Sequence, residues 1–187
     1  MIIIGITGTI GAGKGTIVEY LVNQKNFTHY SVREYLSREI EKRNMPVNRD
    51  SMVIVANELR AMHSPSYVTD QLYSEAELSN KSCVIESIRT PGEIDSLRKK
   101  ENFWLFAVDA PAKLRYERIL IRNSVTDNID YPTFLENEAR EMQAGDPNKQ
   151  NLRKCIEMAD FIFENSGGIE ELHLQIENVL LKIEEEK

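Results

Sequence analysis

A glycine-rich segment near the N-terminus constrains the fold of this chain more than any other feature. Residues 8–16 read GTIGAGKGT and directly follow the continuous apolar run Ile2–Ile6. A run of β-branched residues of this kind is typical of a buried parallel strand. A helix is predicted to begin at about Lys14 and to end near Asn23. Together these signals predict a strand that leads through a tight turn into a helix.

The same segment has the spacing of a phosphate-binding loop. Gly8, four intervening residues, Gly13 and Lys14 fit the P-loop pattern, and Thr16 supplies its hydroxyl. Glycines let several backbone N–H groups point at one position, where the helix N-terminus adds partial positive charge. Lys14 can reach the β and γ phosphates, and Thr16 is the expected Mg²⁺ ligand. The residues predicted to hold ATP are Gly8, Gly11, Ala12, Gly13, Lys14, Gly15, Thr16 and Ile17.

Strands alternate with helices along the rest of the chain, which indicates a parallel sheet with helices on both faces. Four further strands are predicted at about Thr28–Tyr30, Ser82–Glu86, Phe103–Val108 and Phe161–Glu164. Helices are predicted at about 31–43, 51–62, 65–78, 111–122, 132–143 and 147–158, with a last one after Gly168. Thr90 and Glu93 form a capping-box signature that opens one more helix. The predicted fold is a three-layer α/β domain with a five-stranded parallel sheet.

Composition restricts the classes of partner. A chain of 187 residues suits a single domain, here 1–187, and its net charge of −7 disfavours non-specific nucleic-acid binding. The apolar run Met1–Ile4 is too short for a signal peptide or a membrane span, so we expect a cytoplasmic protein without a membrane partner. Cys83 and Cys155 are expected to be reduced, partly buried thiols. The three histidines form no metal-type cluster in the sequence.

The rest of the sequence separates two classes of protein that use such a loop. A GTPase would carry a DxxG motif after a strand and an NKxD motif that reads the base. No predicted strand ends in DxxG, and residues 148–151 read NKQN without the aspartate. A phosphotransferase is therefore favoured over a GTPase switch.

The loop resembles those of nucleoside monophosphate kinases, in which GxGKGT is common. Thr7–Gly11 also resembles dephospho-CoA kinase, although Gly15 stands where that enzyme has serine. The segment Val84–Thr90, VIESIRT, is similar to the adenylate-kinase segment LDGFPRT, with its proline missing. This resemblance implies that Glu86 holds Mg²⁺ or its waters and that Arg89 holds the acceptor phosphate. An N-cap or ion-pair role for Glu86 is the structural alternative.

Two more segments carry the resemblance. Phe106–Pro111 and the helix after it are similar to the part of these kinases that precedes the lid. Arg118 and Arg122 share a helix face and are predicted to clamp the triphosphate, the alternative being a solvated face paired with Glu117. For Arg115 the solvated face is the favoured interpretation. Residues 159–172 resemble the C-terminal segment of dephospho-CoA kinase, in which the turn Asn165–Gly168 either touches the adenine or is purely structural.

The acceptor side is less well specified, and it is expected on helices within about 31–80. Its candidate residues are Ser31, Arg33, Glu34, Arg38, Asn57, Arg60 and Arg89. Ser31 is equally suited to capping a helix. This region resembles P-loop proteins of the archaeal dephospho-CoA-kinase-related group and the kinase-like part of some deoxycytidylate deaminases. The zinc motif of a deaminase is absent from the sequence.

These observations predict an ATP- and Mg²⁺-dependent small-molecule kinase. Its catalytic candidates are Lys14, Glu86, Arg89, Arg118 and Arg122, and its metal ligands are Thr16 and Glu86. The acceptor-side arginines favour a nucleotide-type acceptor, first a (deoxy)nucleoside monophosphate, with dephospho-CoA as the alternative. A hydroxyl acceptor would need a base, for which Glu34 or Glu86 is available. A small lid at about 123–147 would exclude water. A non-catalytic nucleotide sensor or regulatory NTPase is the competing class, and the oligomeric state, monomer or homodimer, stays open.

Overall fold

The fold was analysed in a computed structural model that describes residues 1–122, 129–142 and 149–185. Its centre is a parallel sheet of five strands in the order β2-β3-β1-β4-β5. The strands are β1 Ile3–Gly8, β2 Thr28–Ser31, β3 Cys83–Glu86, β4 Phe103–Asp109 and β5 Phe161–Glu164. The predicted five-stranded parallel sheet is therefore confirmed.

Helices flank both faces of this sheet. In the described residues they are α1 Lys14–Lys25, α2 Val32–Lys42, α3 Arg49–Met62, α4 Tyr67–Ser79, α5 Pro91–Leu97, α6 Ala112–Arg122, α7 Tyr131–Met142, α8 Leu152–Glu157 and α9 Ile169–Glu185. Within these ranges no helix is both long and apolar enough to cross a membrane. The predicted lid, 123–147, is described only for residues 129–142, most of which form α7.

Two predicted helix starts are wrong. The helix expected from Pro65 begins at Tyr67, because residues 64–67 first make a turn in which the Tyr67 N–H donates to the Ser64 carbonyl at 3.1 Å. The helix expected from Pro147 begins at Leu152, where the Asn151 side chain caps it. Asn151 also donates its backbone N–H to the Arg89 carbonyl, which holds this residue outside the helix. Pro147 itself lies outside the described residues.

Alternate residues of the strands point to opposite faces of the sheet and pack into two hydrophobic cores, one on each face. Ile3 of β1 packs with α2, α3 and α4, whereas Ile4 and Ile6 pack with α1 and α9. Both cysteines are free, as predicted, but they are fully buried in the first core instead of partly buried. Because all five strands run in the same direction, their carboxyl ends meet at one edge of the sheet. In parallel sheets that edge is where ligands bind.

The predicted capping box is confirmed and has a second function. The Thr90 hydroxyl accepts from the Glu93 N–H at 3.3 Å, and the Glu93 carboxylate accepts from the Thr90 N–H at 2.9 Å. The same carboxylate accepts from the Arg89 N–H at 2.7 Å and from Arg60 of α3 at 3.1 Å. Glu93 is fully buried and Arg60 is 2% exposed. One carboxylate therefore fixes the start of α5, the backbone of Arg89 and the end of α3.

Replacing Glu93 with alanine should destabilise the protein strongly. The variant leaves Arg60 buried without its carboxylate, a change that typically costs about 3–5 kcal/mol. Urea unfolding followed by circular dichroism measures the free energy. Asp95→Ala is the matched control, since Asp95 is an exposed acidic residue of the same helix and should change stability by less than about 0.5 kcal/mol. Equal losses in the two variants would contradict a structural role of the Glu93 carboxylate.

Candidate functional site

The phosphate-binding loop connects β1 to α1 at the carboxyl edge of the sheet. Gly13, the residue before the helix, has a left-handed backbone (φ 109°) that favours glycine. A Cβ at Gly13 would also lie 2.2 Å from Nδ2 of Asn165, so no larger residue fits there. Gly15 faces open space, with no atom within 4 Å of a Cβ built on it. The first turn of α1 therefore has room beside it for a ligand.

Lys14 folds back over this loop. Its Nζ donates to the carbonyls of Gly8 at 2.9 Å and Thr9 at 2.8 Å. Burial lowers the pKa of Lys14 to about 8; the charge of Arg89 acts in the same direction, and Glu86 and Glu141 oppose it. The ammonium is thus held over the loop in surroundings that disfavour its charge. A phosphate anion beside it would relieve that cost.

A cleft of about 370 Å³ lies above the loop and the first turn of α1. It is lined by Gly11, Gly13, Gly15, Thr16, Glu19, Arg118, Arg122, Asn165, Gly167 and Ile169. The predicted pair Arg118 and Arg122 thus faces the same cleft as Thr16. Arg118 donates one Nη2–H to the Asn165 carbonyl at 2.9 Å, while its buried Nη1 has no hydrogen-bond partner among the described residues.

Asn165 joins the turn after β5 to the phosphate-binding loop. Its side-chain Nδ2 donates to the Ala12 carbonyl at 2.8 Å, and the side chain is 7% exposed. Its own carbonyl accepts from Arg118. Asn165 therefore connects three parts of the cleft: the loop, α6 and the turn before α9.

Arg115 does not form the solvated face that the sequence favoured. The residue is 4% exposed and donates to the carbonyls of Ala110 at 2.6 Å and Ile10 at 3.2 Å. It also pairs with Glu138 of α7. The interpretation from sequence was wrong because it considered only Glu117, the acidic residue of the same helix. The carboxylate of Glu138 that pairs with Arg115 lies on α7. Arg115 therefore supports the phosphate-binding loop through its hydrogen bond to the Ile10 carbonyl.

A second cavity, of about 190 Å³, has Lys14 in its lining. Its basic and acidic lining residues are Lys14, Arg33, Arg49, Arg60, Arg89, Glu86 and Glu141. Its apolar lining residues are Val32, Leu36, Val47, Met52, Val53 and Ala56. The five cations outnumber the two carboxylates by three charges. One wall therefore suits an anion and the other suits a flat or apolar body.

Glu86 enters this second cavity from the end of β3. Its Oε2 lies 3.2 Å from Nε2 of His29 on β2. Burial raises the pKa of Glu86, but the His29 hydrogen bond and the charge of Lys14 outweigh it and hold the pKa below its usual value. Glu86 is therefore a carboxylate at neutral pH. It is a hydrogen-bond partner of His29, and its strand β3 lies next to β1, which leads into the phosphate-binding loop.

Glu141, near the end of α7, is the other acid of this cavity. Arg49 at the start of α3 and Arg89 after β3 both donate to its carboxylate, Arg89 at 2.7 Å. Burial raises the pKa of Glu141, but the charges of Arg89 and Arg49 hold it below its usual value. Gln150 accepts a further hydrogen bond from Arg89 at 2.9 Å. Three distant segments of the chain therefore meet at Arg89.

The predicted acceptor residues divide into two groups. Arg33, Arg60 and Arg89 line the second cavity. The other four do not: Ser31, Glu34, Arg38 and Asn57. Ser31 is buried and caps α2 by accepting from the Glu34 N–H at 3.2 Å. Arg38 lies against the Tyr35 ring, and Asn57 accepts weakly from Arg60.

Sequence reasoning missed four residues of the site, namely His29, Arg49, Glu141 and Gln150. Only one of them carried a usable signal. His29 lies two residues before Ser31, which pairs with Glu86 in the parallel register of β2 and β3. The neighbouring position of these strands would have suggested the contact. Glu141 belongs to no recognisable motif.

The first cleft offers groups of the kind that bind phosphate. They are the backbone of the glycine-rich loop and the Arg118 Nη1, which has no hydrogen-bond partner among the described residues. Thr16 lines this cleft, whereas Glu86 lines the second cavity, so the two predicted metal ligands line different cavities. No group of three acidic, His or Cys side chains suited to a metal occurs among the described residues. A Mg²⁺ ion here would therefore depend largely on phosphate oxygens and water, as is usual for this ion.

Known relatives match the chain over nearly its full length. A UPF0200 protein of Methanococcus maripaludis is 28% identical over 98% of this chain and 98% of its own. A UPF0200 protein of Methanocaldococcus jannaschii is also 28% identical, over 98% of this chain and 91% of its own.

Solved structures share the fold at low sequence identity. TT1252 from Thermus thermophilus has a TM-score of 0.65 at 20% identity, covering 97% of each chain. A shikimate kinase from Bacteroides thetaiotaomicron has a TM-score of 0.60 at 13% identity, covering 96% of this chain and 98% of its own. A dephospho-CoA kinase from Campylobacter jejuni has a TM-score of 0.56 at 13% identity, covering 97% and 96%.

A family model gives the assignment. The model of the AAA domain family matches residues 4–144, which contain the phosphate-binding loop, the second cavity's cationic residues and α7. The predicted resemblance to the P-loop kinase superfamily is confirmed by this match and by the shared fold. The chain therefore belongs to the AAA domain family, and its fold is that of the small P-loop kinases.

Proposed function

We propose that this protein is a kinase that transfers the γ-phosphoryl group of ATP to a small nucleotide-type acceptor. The observation that carries the proposal is that the first turn of α1 contributes to both cavities. Lys14, its first residue, lines the second cavity, whereas its chain neighbours Gly13 and Gly15 line the first cleft. Phosphoryl transfer requires mainly that donor and acceptor be positioned together and that charge be stabilised between them.

The first cleft is the proposed donor site. Loop N–H groups and Lys14 would hold the β and γ phosphates, and Arg118 and Arg122 would bind from the opposite wall. Thr16 is the proposed protein ligand of Mg²⁺, with Glu86 assigned to the waters of the ion or to the acceptor. Bound MgATP would supply the phosphoryl group, and its Mg²⁺ would neutralise part of the negative charge of the phosphates. Asn165 would keep the loop and Arg118 in register, because it bonds to both.

The second cavity is the proposed acceptor site. Its surplus of cationic side chains suits an acceptor that already carries phosphate, and its apolar wall from α2 and α3 suits a base. A (deoxy)nucleoside monophosphate has both features. Arg33, Arg60 and Arg89 would surround it, although Arg60 is largely committed to Glu93.

A dephospho-CoA-type acceptor is the second candidate. Its reacting group would be a hydroxyl, which benefits from a base in the acceptor cavity. Glu86 is the observation in its favour, because this carboxylate lines the cavity and is fixed by His29. The similarity of the fold to a dephospho-CoA kinase agrees with either acceptor.

Replacing Lys14 with alanine should reduce phosphoryl transfer by about 100-fold or more. The variant removes the cation proposed to stabilise the transferring group, and losses of one such donor are typically 10²–10³-fold. A coupled assay of ADP formation measures the rate. Lys113→Ala is the matched control, since Lys113 is exposed on α6 and lines neither cavity. Transfer at the normal rate by a folded Lys14→Ala protein would refute the mechanism.

An acceptor screen should identify a phosphorylated substrate. The panel contains (d)NMPs, nucleosides and dephospho-CoA with MgATP, and ADP formation and product mass are measured. We expect turnover with at least one nucleoside monophosphate and none with the matching nucleoside, because the cavity has surplus positive charge. Turnover with dephospho-CoA alone would favour the second candidate. If ATP binds and no acceptor turns over, the protein is instead a nucleotide sensor or regulatory NTPase.

A further inference from the structure

Glu141 occupies the proposed acceptor cavity in a way that resembles a bound ligand. Its side chain is 7% exposed, and its two oxygens each accept from a different arginine, Arg49 and Arg89. Two guanidinium groups around one anion are also the arrangement by which proteins bind phosphate. The carboxylate comes from α7, while its two partners come from α3 and from the segment after β3. The cavity therefore contains an anion that belongs to the protein itself.

The anion-binding capacity of the cavity is not exhausted by this carboxylate. Glu86, the other acid, is engaged by His29. The buried Nε atoms of Arg49 and Arg60 have no hydrogen-bond partner among the described residues. A buried donor without a partner costs free energy, and a phosphate has more acceptor oxygens than a carboxylate. A phosphate in this position could therefore satisfy donors that Glu141 leaves unpaired.

The backbones of Arg49 and Arg89 are held in place by contacts that do not involve Glu141. The Arg89 N–H donates to the Glu93 carboxylate at 2.7 Å, and the Arg89 carbonyl accepts from Asn151 at 2.9 Å. Arg49 is the first residue of α3, whose start is capped by the Asn48 side chain. Both arginines would thus keep their backbone positions if the carboxylate left.

We infer that Arg49 joins Arg89, which the proposed function already places at the acceptor, in one subsite for the acceptor's phosphate, and that Glu141 is a built-in competitor for that subsite. This inference rests on the proposed function, because it takes the ligand to be a phosphate-bearing acceptor. Such an acceptor exchanges its phosphate for the carboxylate. An acceptor without phosphate offers no anion for this exchange and leaves Glu141 in place. The cavity would thereby select phosphorylated acceptors through competition as well as through attraction.

A purely structural role for Glu141 makes the opposite prediction. If the carboxylate only holds Arg49 and Arg89 in position, its loss should weaken phosphate binding, since the arginines would lose their shared partner. If it competes, its loss should strengthen phosphate binding. The sign of the change distinguishes the two roles.

The test is binding of inorganic phosphate to the full chain, measured by isothermal titration calorimetry at low ionic strength. Glu141→Gln keeps the shape of the side chain and removes its charge, and we expect phosphate to bind about tenfold more tightly, within the usual range of coupling between two ligands. Glu136→Gln is the matched control. It removes the same charge from an exposed position of α7 and should leave phosphate binding unchanged.

A double variant separates this subsite from the phosphate-binding loop, which also binds phosphate. Arg49 lines the second cavity but not the cleft above the loop. In an Arg49→Ala background, Glu141→Gln should therefore give a smaller gain, because only Arg89 of the subsite remains. Unchanged or weaker binding in the single variant would overturn the inference, as would a gain of the same size without Arg49. If Glu141→Gln does not fold, Glu141→Asp decides the question, because its shorter carboxylate should bridge the arginines less well and give a smaller gain in affinity.

The failure of this inference and that of the proposed function have different signatures. Tighter phosphate binding in Glu141→Gln, with no phosphoryl transfer to any acceptor, would support the subsite and refute the kinase. Transfer to an acceptor, with phosphate binding unaffected by Glu141→Gln, would support the kinase and refute the competitor.

Discussion

The structure depends on how positive charge is held at the carboxyl edge of the sheet. Guanidinium and ammonium groups can leave water only if anions or carbonyls replace their hydration. In this protein the replacements come from distant elements: Glu93 of α5 for Arg60, Glu138 of α7 for Arg115, and loop carbonyls for Lys14. Each of these contacts fixes a helix near the carboxyl edge of the sheet, where the two cavities lie. The charges that suit a phosphate ligand are thus the same ones that hold the elements around it.

Helix α7 shows most clearly how packing and site chemistry coincide. Two of its carboxylates, Glu138 and Glu141, are three residues apart and therefore lie on one face. Glu138 pairs with the arginine that braces the phosphate-binding loop, and Glu141 pairs with two arginines of the proposed acceptor cavity. The helix thus contacts both sides of the site through these two carboxylates, and its Phe134 ring also lies 5.5 Å from the Arg115 guanidinium. Because Coulomb interactions inside a partly desolvated cavity are strong, a ligand anion at either side would change the balance that holds α7 in place.

The parts of the structure that could be predicted from the sequence are those encoded by neighbouring residues. The phosphate-binding loop, the five strands and the Thr90–Glu93 capping box each depend on a short pattern, and all three are present. The contact between Arg49 and Glu141 joins residues 92 positions apart, and no local pattern indicates it. The helix that begins at Leu152 was placed too early for the same reason, since the constraint on Asn151 is its bond to Arg89. Ion pairs between residues far apart in the chain could therefore not be predicted from the sequence.

The two acids of the second cavity bear on which acceptor the site suits. A base that accepts a proton from a hydroxyl works best when its pKa lies near the working pH. The hydrogen bond from His29 and the charge of Lys14 hold the pKa of Glu86 below its usual value, which makes it a weaker base than an ordinary glutamate. An acceptor phosphate oxygen needs no base, so a lowered pKa costs nothing with that class of acceptor. The same electrostatic environment that weakens Glu86 as a base, a cavity with more cations than carboxylates, strengthens the site for a phosphate. For the proposed kinase, the lowered pKa of Glu86 therefore favours an acceptor that reacts through a phosphate oxygen, whereas the surplus of cations suits any acceptor that carries phosphate, dephospho-CoA included.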